Sequence, residues 1–241
     1  MPTSIHEARA ASLRGAALRP QGAVALLTVS LSYAVFTAAY VVTNRATPRP
    51  DASGRDILSR YVRDHGTAID LGAFLLLAAA VLLVPVAATL ARLMRRGQGQ
   101  GQDLGAAAAT VLAGGVLASG ALASSAALTW TLGRLPEDAP AALARALADL
   151  SFLAGGVGYA VSFALLAAGT CLAARESGLL PRACATTGLV IAAAGLAATL
   201  TLLALDFGYL LPVVRFGGTA WLVWAAFALF RPRPTAPRTN A

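Results

Sequence analysis

Asp70, Asp149 and Asp206 each stand where a long apolar run begins or ends. Arg215 lies just inside the last run and His65 just ahead of the second. If the runs are helices of one bundle, these five side chains converge at the same end. Ionisable groups at membrane depth are functional candidates, and two chemistries are open to this set. Together the five would build a candidate polar pocket opening outward, as in a small transporter or a lipid-handling protein. A lone desolvated acid would instead suit a membrane-embedded cyclase or isomerase. An ion pair between Asp206 and Arg215, with Asp149 or Asp70 in the same cavity, would mark the pocket. The alternative is purely structural. A carboxylate at a helix N-terminus caps free N–H groups and meets the favourable end of the dipole, which would account for Asp70 and Asp149. Arg215 can snorkel to the interface. Asp206 fits this second reading least, because a helix C-terminus disfavours an anion, unless it belongs to the turn leading into the next helix.

Other chemistries find no residues. The only histidines are His6 and His65, neither inside an apolar run, and there is no H-E-x-x-H, so a bilayer haem or zinc enzyme has no ligands. Cys171 and Cys184 form no C-x-x-C and read as small apolar-compatible residues in or beside helices rather than a redox pair. No apolar run holds two carboxylates for Mg²⁺ on a diphosphate, and G-x-S-x-G is absent. No catalytic residue, metal site or cofactor is therefore expected, and the resulting function is a non-catalytic accessory, sensory or regulatory membrane component.

The elements that must position these residues follow from composition. Of 241 residues 57% are hydrophobic and only 12% charged, with mean hydropathy +0.68, whereas a soluble domain carries about a quarter charged residues. Six apolar runs approach or exceed the roughly 20 residues that cross a bilayer as a helix. They cover about 22–43, 70–92, 104–132, 149–174, 183–205 and 210–230. A basic segment, 1–20, precedes them; a basic, proline-rich tail, 231–241, follows and reads as disordered. The first run is too long for a signal-peptide core. Pro85 predicts a kink in the second, and GQGQGQD (97–103) a flexible linker. The third and fourth carry small residues four apart, Gly115 with Ser119, Gly120 with Ser124 and Gly158 with Ser162, which predicts close packing of both at the centre of the bundle.

The net charge of +8 comes from arginine alone. These arginines are scattered among loops, not gathered on one soluble face, which argues against nucleic acid as a partner. With the N-terminus cytoplasmic, eleven arginines fall inside and eight outside, so the positive-inside rule places both termini in the cytoplasm. The outer connection includes SGRDILSRYVRD (53–64), where Ser53 and Asp56 form a capping-box pattern ahead of Ile57, Leu58, Tyr61 and Val62. It is either an amphipathic helix on the membrane surface or an ordered connector packed on the bundle.

GLLPRACATTGLVIAAAGL, with the tryptophan-bearing last run, resembles a group of uncharacterised six-helix integral membrane proteins of the domain-of-unknown-function type, common in high-GC bacteria. In that group the chain re-enters the membrane at a G-x-L-P-R-W-like step with a glycine one and a half turns later. Gly178, Leu180, Pro181, Arg182 and Gly188 match it, while Ala183 and Cys184 stand where aromatic residues are usual. The resemblance implies the architecture and brings no reaction with it. The expected protein is an all-α six-helix transmembrane bundle in a bacterial cytoplasmic membrane. Its partners are the lipid bilayer and either another membrane protein or a second copy of the chain.

Overall fold

The computed structural model describes residues 20–45, 47, 50–96 and 104–230. The basic N-terminal segment up to residue 19, the 97–103 linker and the 231–241 tail lie outside the described residues. Within them the chain is helical, with no strand. Helix α1 (Pro20–Thr43) leads to a connection holding the single turn α2 (Gly54–Asp56) and a π turn, Ile57–Val62. Helices α3 (Gly66–Arg96) and α4 (Leu104–Gly133) follow. Helix α5 (Ala141–Phe152) passes through a π turn, Leu153–Gly158, into α6 (Tyr159–Ser177). Helix α7 (Arg182–Ala197) tightens into a 3-10 turn, Ala198–Leu202. The last span strings together a 3-10 turn (Leu205–Tyr209), α8 (Leu210–Pro212), a π turn (Val213–Gly217) and α9 (Gly218–Phe230). Six of these stretches are long and apolar enough to cross a membrane. The chain is an all-α, six-helix, multi-pass membrane protein.

Consecutive spans pack on one another, α9 returns to α1, and α3 also meets α6. Lipid gives helices no hydrophobic reason to associate, so tight contact and interhelical hydrogen bonds must hold them. At Gly114 of α4 a Cβ would lie 2.4 Å from the Leu166 backbone nitrogen and 2.8 Å from the Ser162 carbonyl oxygen, so only glycine permits this approach. One turn on, Ser119 donates a 2.7 Å hydrogen bond to the Ala80 carbonyl of α3. The small-residue pattern is only partly used: Gly115 is buried against Ala87, but Gly120 and Ser124 face outward, with nothing within 4 Å of a Cβ at Gly120. Helix α3 continues unbroken through Pro85.

The G-L-L-P-R corner is a helix-to-helix joint. Gly178 closes α6 in the left-handed region at φ 64°, where glycine carries no Cβ penalty. Pro181 then sits immediately before α7. A Cβ at Gly188 would fall 2.3 Å from Cys171 Sγ and 2.6 Å from the Trp221 ring. Trp221 in turn donates to the Cys184 carbonyl at 3.0 Å, and both cysteines are free and buried.

At the other end of the bundle, the 53–64 segment is a packed connector rather than a surface helix. Ser53 Oγ accepts from the Asp56 amide at 3.2 Å and donates to the Asp56 carboxylate at 2.6 Å. Ile57, Tyr61 and Val62 are buried with Ile69, Leu132 and Ala144. The span boundaries also change the reading of the acids. The fourth span begins at Ala141, so Asp149 lies about two turns inside α5 and caps nothing. Helix α3 begins at Gly66 and has no acid in its first turn, so Asp70 is not a cap either. Asp206 belongs to the first turn of the Leu205–Tyr209 segment. It therefore opens the last span instead of closing the fifth, where the helix dipole would oppose it.

Candidate binding cavity

A cavity of about 900 Å³ opens at the end of the bundle that carries the 44–66 connection. Asp149, Asp206 and Arg215 all line it. Asp70 and His65 do not. Asp70 lies 4.0 Å from Arg134, both half-exposed, and His65 Nδ1 contacts the Arg60 carbonyl at 3.0 Å while its ring stacks on Tyr61. Asp206 and Arg215 share the cavity without forming an ion pair within 4.0 Å. Asp149 is instead taken by Arg145, one turn earlier on α5, at 2.8 Å.

The described backbone around this cavity is irregular. The three π turns, Ile57–Val62, Leu153–Gly158 and Val213–Gly217, all contribute lining residues, as does the 3-10 turn Leu205–Tyr209. π turns inside helices occur disproportionately at functional sites. Non-helical backbone at membrane depth persists where it is buried in protein or lines a cavity. The meeting of irregular segments from three parts of the chain at one space, two of the four lying in the last span, is therefore more than loose folding.

Arg215 occupies the centre. It is half-buried on the π turn of the last span. Its Nη2 donates to the Gly155 carbonyl at 2.6 Å. The guanidinium carbon lies 5.1 Å from the Tyr159 ring centroid and 5.5 Å from that of Tyr40, a distance at which the ring quadrupole attracts a cation. Thr219 holds the Arg215 carbonyl at 2.6 Å, which fixes this turn of the helix. Behind Arg215, the Tyr159 hydroxyl pairs with that of Tyr33 at 2.7 Å, both fully buried.

A second wall is made of hydroxyls. Thr129 and Ser151 lie 2.8 Å apart, Ser125 and Ser151 3.0 Å, and Ser125 donates to the Ser151 carbonyl at 2.9 Å. Gly155 leaves room for this network, since a Cβ there would come 2.4 Å from Ser125 Oγ. Leu205, Leu211, Phe152 and Phe216 supply an apolar side. The connection from α1 is strapped over the mouth: Arg145 also donates to the Pro50 and Ala52 carbonyls, and Tyr61 donates to Asn44 Oδ1 at 3.2 Å. Burial, reinforced by Tyr40 and opposed by a hydrogen bond with Thr47, pushes the Tyr61 phenol up to about 12.

No family model, curated protein or solved structure matches the chain. The site thus has to be read from its own chemistry. Among the described residues no group of three or more His, Cys, Asp or Glu side chains is placed to hold a metal ion. Among the described residues the cavity combines a cation with free hydrogen-bonding capacity, a hydroxyl wall and an apolar wall, which together suit a molecule having a polar head and an apolar body.

The tyrosines, the hydroxyl trio and Arg145 are the lining residues that the acids-first reading missed. Ser125 and Thr129 carried a signal, being four apart on one helical face. Tyr40 and Tyr159 carried little, because tyrosines near span ends are common interfacial residues.

Proposed function

We propose that this protein binds a small amphiphilic molecule in the cavity around Arg215 and handles it without chemical turnover, as a small transporter or lipid-handling component. In this reading it resides in a bacterial cytoplasmic membrane with both termini in the cytoplasm, and the cavity opens outward. The observation that carries the proposal is the convergence of three π turns and a 3-10 turn on one cavity. Its size falls within the range of small-molecule sites, roughly 300–1,000 Å³. Asp149, the acid nearest the hydroxyl wall in sequence, is paired with Arg145 at 2.8 Å and so is not free to act as a base.

A sensory or accessory role is supported by one feature. Arg145 ties the cavity wall to the Pro50–Ala52 part of the 44–66 connection, so occupancy would be felt at the exposed surface where a partner protein can read it.

Native mass spectrometry of the protein in nanodiscs of defined phosphatidylethanolamine and phosphatidylglycerol tests the proposal. Wild type is expected to retain one lipid-sized adduct after the nanodisc is stripped, and Ala148→Trp, which fills the cavity, to lose it while remaining monodisperse and helical by circular dichroism. Equal retention by both proteins would refute a cavity-bound ligand.

A further inference from the structure

We infer that the group recognised in this cavity is an anion, a phosphate or carboxylate, seated on Arg215. The inference rests on the cavity being a binding site and specifies what enters it. A guanidinium carries five N–H donors in a rigid fork that matches carboxylate and phosphate oxygens. Among the described residues, Arg215 spends its side-chain hydrogen bonding on the Gly155 carbonyl alone, and no carboxylate lies within 4.0 Å of it. Arginine within a membrane span is costly and is usually paired with an acid or directed at a water-filled path. Here the acids that could have served are placed otherwise: Asp149 is held by Arg145, and Asp206 stays at the exposed start of the span.

The surroundings favour an anion over other occupants. Tyr40 and Tyr159 attract the guanidinium through their rings and so stabilise it without consuming its N–H donors. The hydroxyls of Thr129 and Ser151 line the same space; when Ser151 donates across their 2.8 Å contact, the Thr129 proton is free for a further oxygen. Asp51 and Asp206 line the cavity too but are exposed, where water and salt screen them, while Arg215 is half-buried. The field is therefore more positive with depth, and the charged end of an amphiphile enters first. The Leu211 and Phe216 side of the cavity would then meet its apolar body.

The test uses protein in phosphatidylcholine nanodiscs, thermal unfolding as readout, and octyl phosphate, octanoate, octanol and inorganic phosphate as probes. Octyl phosphate or octanoate is expected to raise the melting temperature of wild type, and octanol not to. Arg215→Gln should weaken the half-maximal effect of the active probe at least about tenfold, the loss of one or more charge-assisted hydrogen bonds. Arg215→Lys, which keeps the charge but not the fork, should fall between the two. Protection by inorganic phosphate would identify a free anion as the natural occupant. Protection by octyl phosphate or octanoate, but by neither inorganic phosphate nor octanol, would identify a lipid-like head group. Equal protection by octanol and octyl phosphate, or an unchanged response in Arg215→Gln, would overturn the inference. If Ala148→Trp still abolishes protection in that case, the cavity stands as a site for a neutral ligand. If Ala148→Trp changes nothing, the binding proposal falls with it.

Discussion

Tyr33 and Tyr159 offer a clean separation of a hydrogen bond from the groups that make it. Their hydroxyls meet at 2.7 Å between α1 and α6, both side chains being 1% exposed. Neither hydroxyl has another protein partner among the described residues, so removing one leaves the other orphaned in an apolar interior. Interhelical hydrogen bonds within membranes contribute about 0.6 kcal/mol on average and up to about 1.7. For a chain of this size each kcal/mol moves the melting temperature by about 2–4 °C. Tyr33→Phe and Tyr159→Phe are thus each expected to lower it by roughly 1–7 °C. The double variant removes both polar atoms while keeping the rings, and loss of a complete pair is close to neutral. It should melt no lower than the worse single variant. Thermal unfolding in a fixed detergent, monitored by tyrosine and tryptophan fluorescence, measures all four corners of the cycle. Strictly additive losses would show that the hydroxyls act independently and that this contact does not join α1 to α6.

Gly188→Ala should destabilise by about 1–3 kcal/mol as its Cβ drives into Cys171 and Trp221, whereas Gly120→Ala, open to lipid, should gain about 0.5–1 kcal/mol. Equal thermal shifts for the two would refute the packing assigned to α4 and α7. Tyr61 stays protonated in the folded state up to about pH 12, while an unfolded tyrosine ionises near pH 10. The unfolded state therefore binds fewer protons across that interval and stability falls as pH rises, by on the order of 2 kcal/mol. Denaturation profiles from pH 9 to 12 should show this fall in wild type and a shallower one in Tyr61→Phe. Arg145→Ala should release the Pro50–Ala52 segment and speed its amide hydrogen exchange roughly tenfold or more. Unchanged exchange there would mean that Arg145 is not what holds the connection down.

The spans were legible because lipid imposes a length and an apolar composition on each one, and both are written directly into runs such as LLLAAAVLLVPVAATLA. The 178–188 corner was legible for a different reason. A left-handed glycine, a proline at a helix start and a glycine facing tryptophan are each local demands on backbone or space. The acids were harder to place. Asp149 looked like a cap because the apolar run seemed to begin there, but ALARALAD carries a charge at every fourth residue, on a helix that starts eight residues earlier. The pairing of Arg145 with Asp149 follows from four-residue spacing only once that helix is known. The contacts around Arg215 draw on α1, the Leu153–Gly158 turn, α6 and the last span together, and no local pattern announces such a meeting. Likewise, π turns depend on how neighbours hold the extra residue, so LAGGVG and VVRFG read as ordinary helix.

The central claim is that the cavity around Arg215 is an outward-opening site for an anionic amphiphile. The most direct measurement is the rate at which a membrane-impermeant maleimide labels Ala148→Cys in intact cells, with and without octyl phosphate; the native Cys171 and Cys184 are buried. The account predicts labelling without permeabilisation and strong slowing by octyl phosphate, with the slowing lost in Ala148→Cys/Arg215→Gln. Labelling only after the cells are opened would contradict the orientation, and labelling indifferent to octyl phosphate would contradict the site.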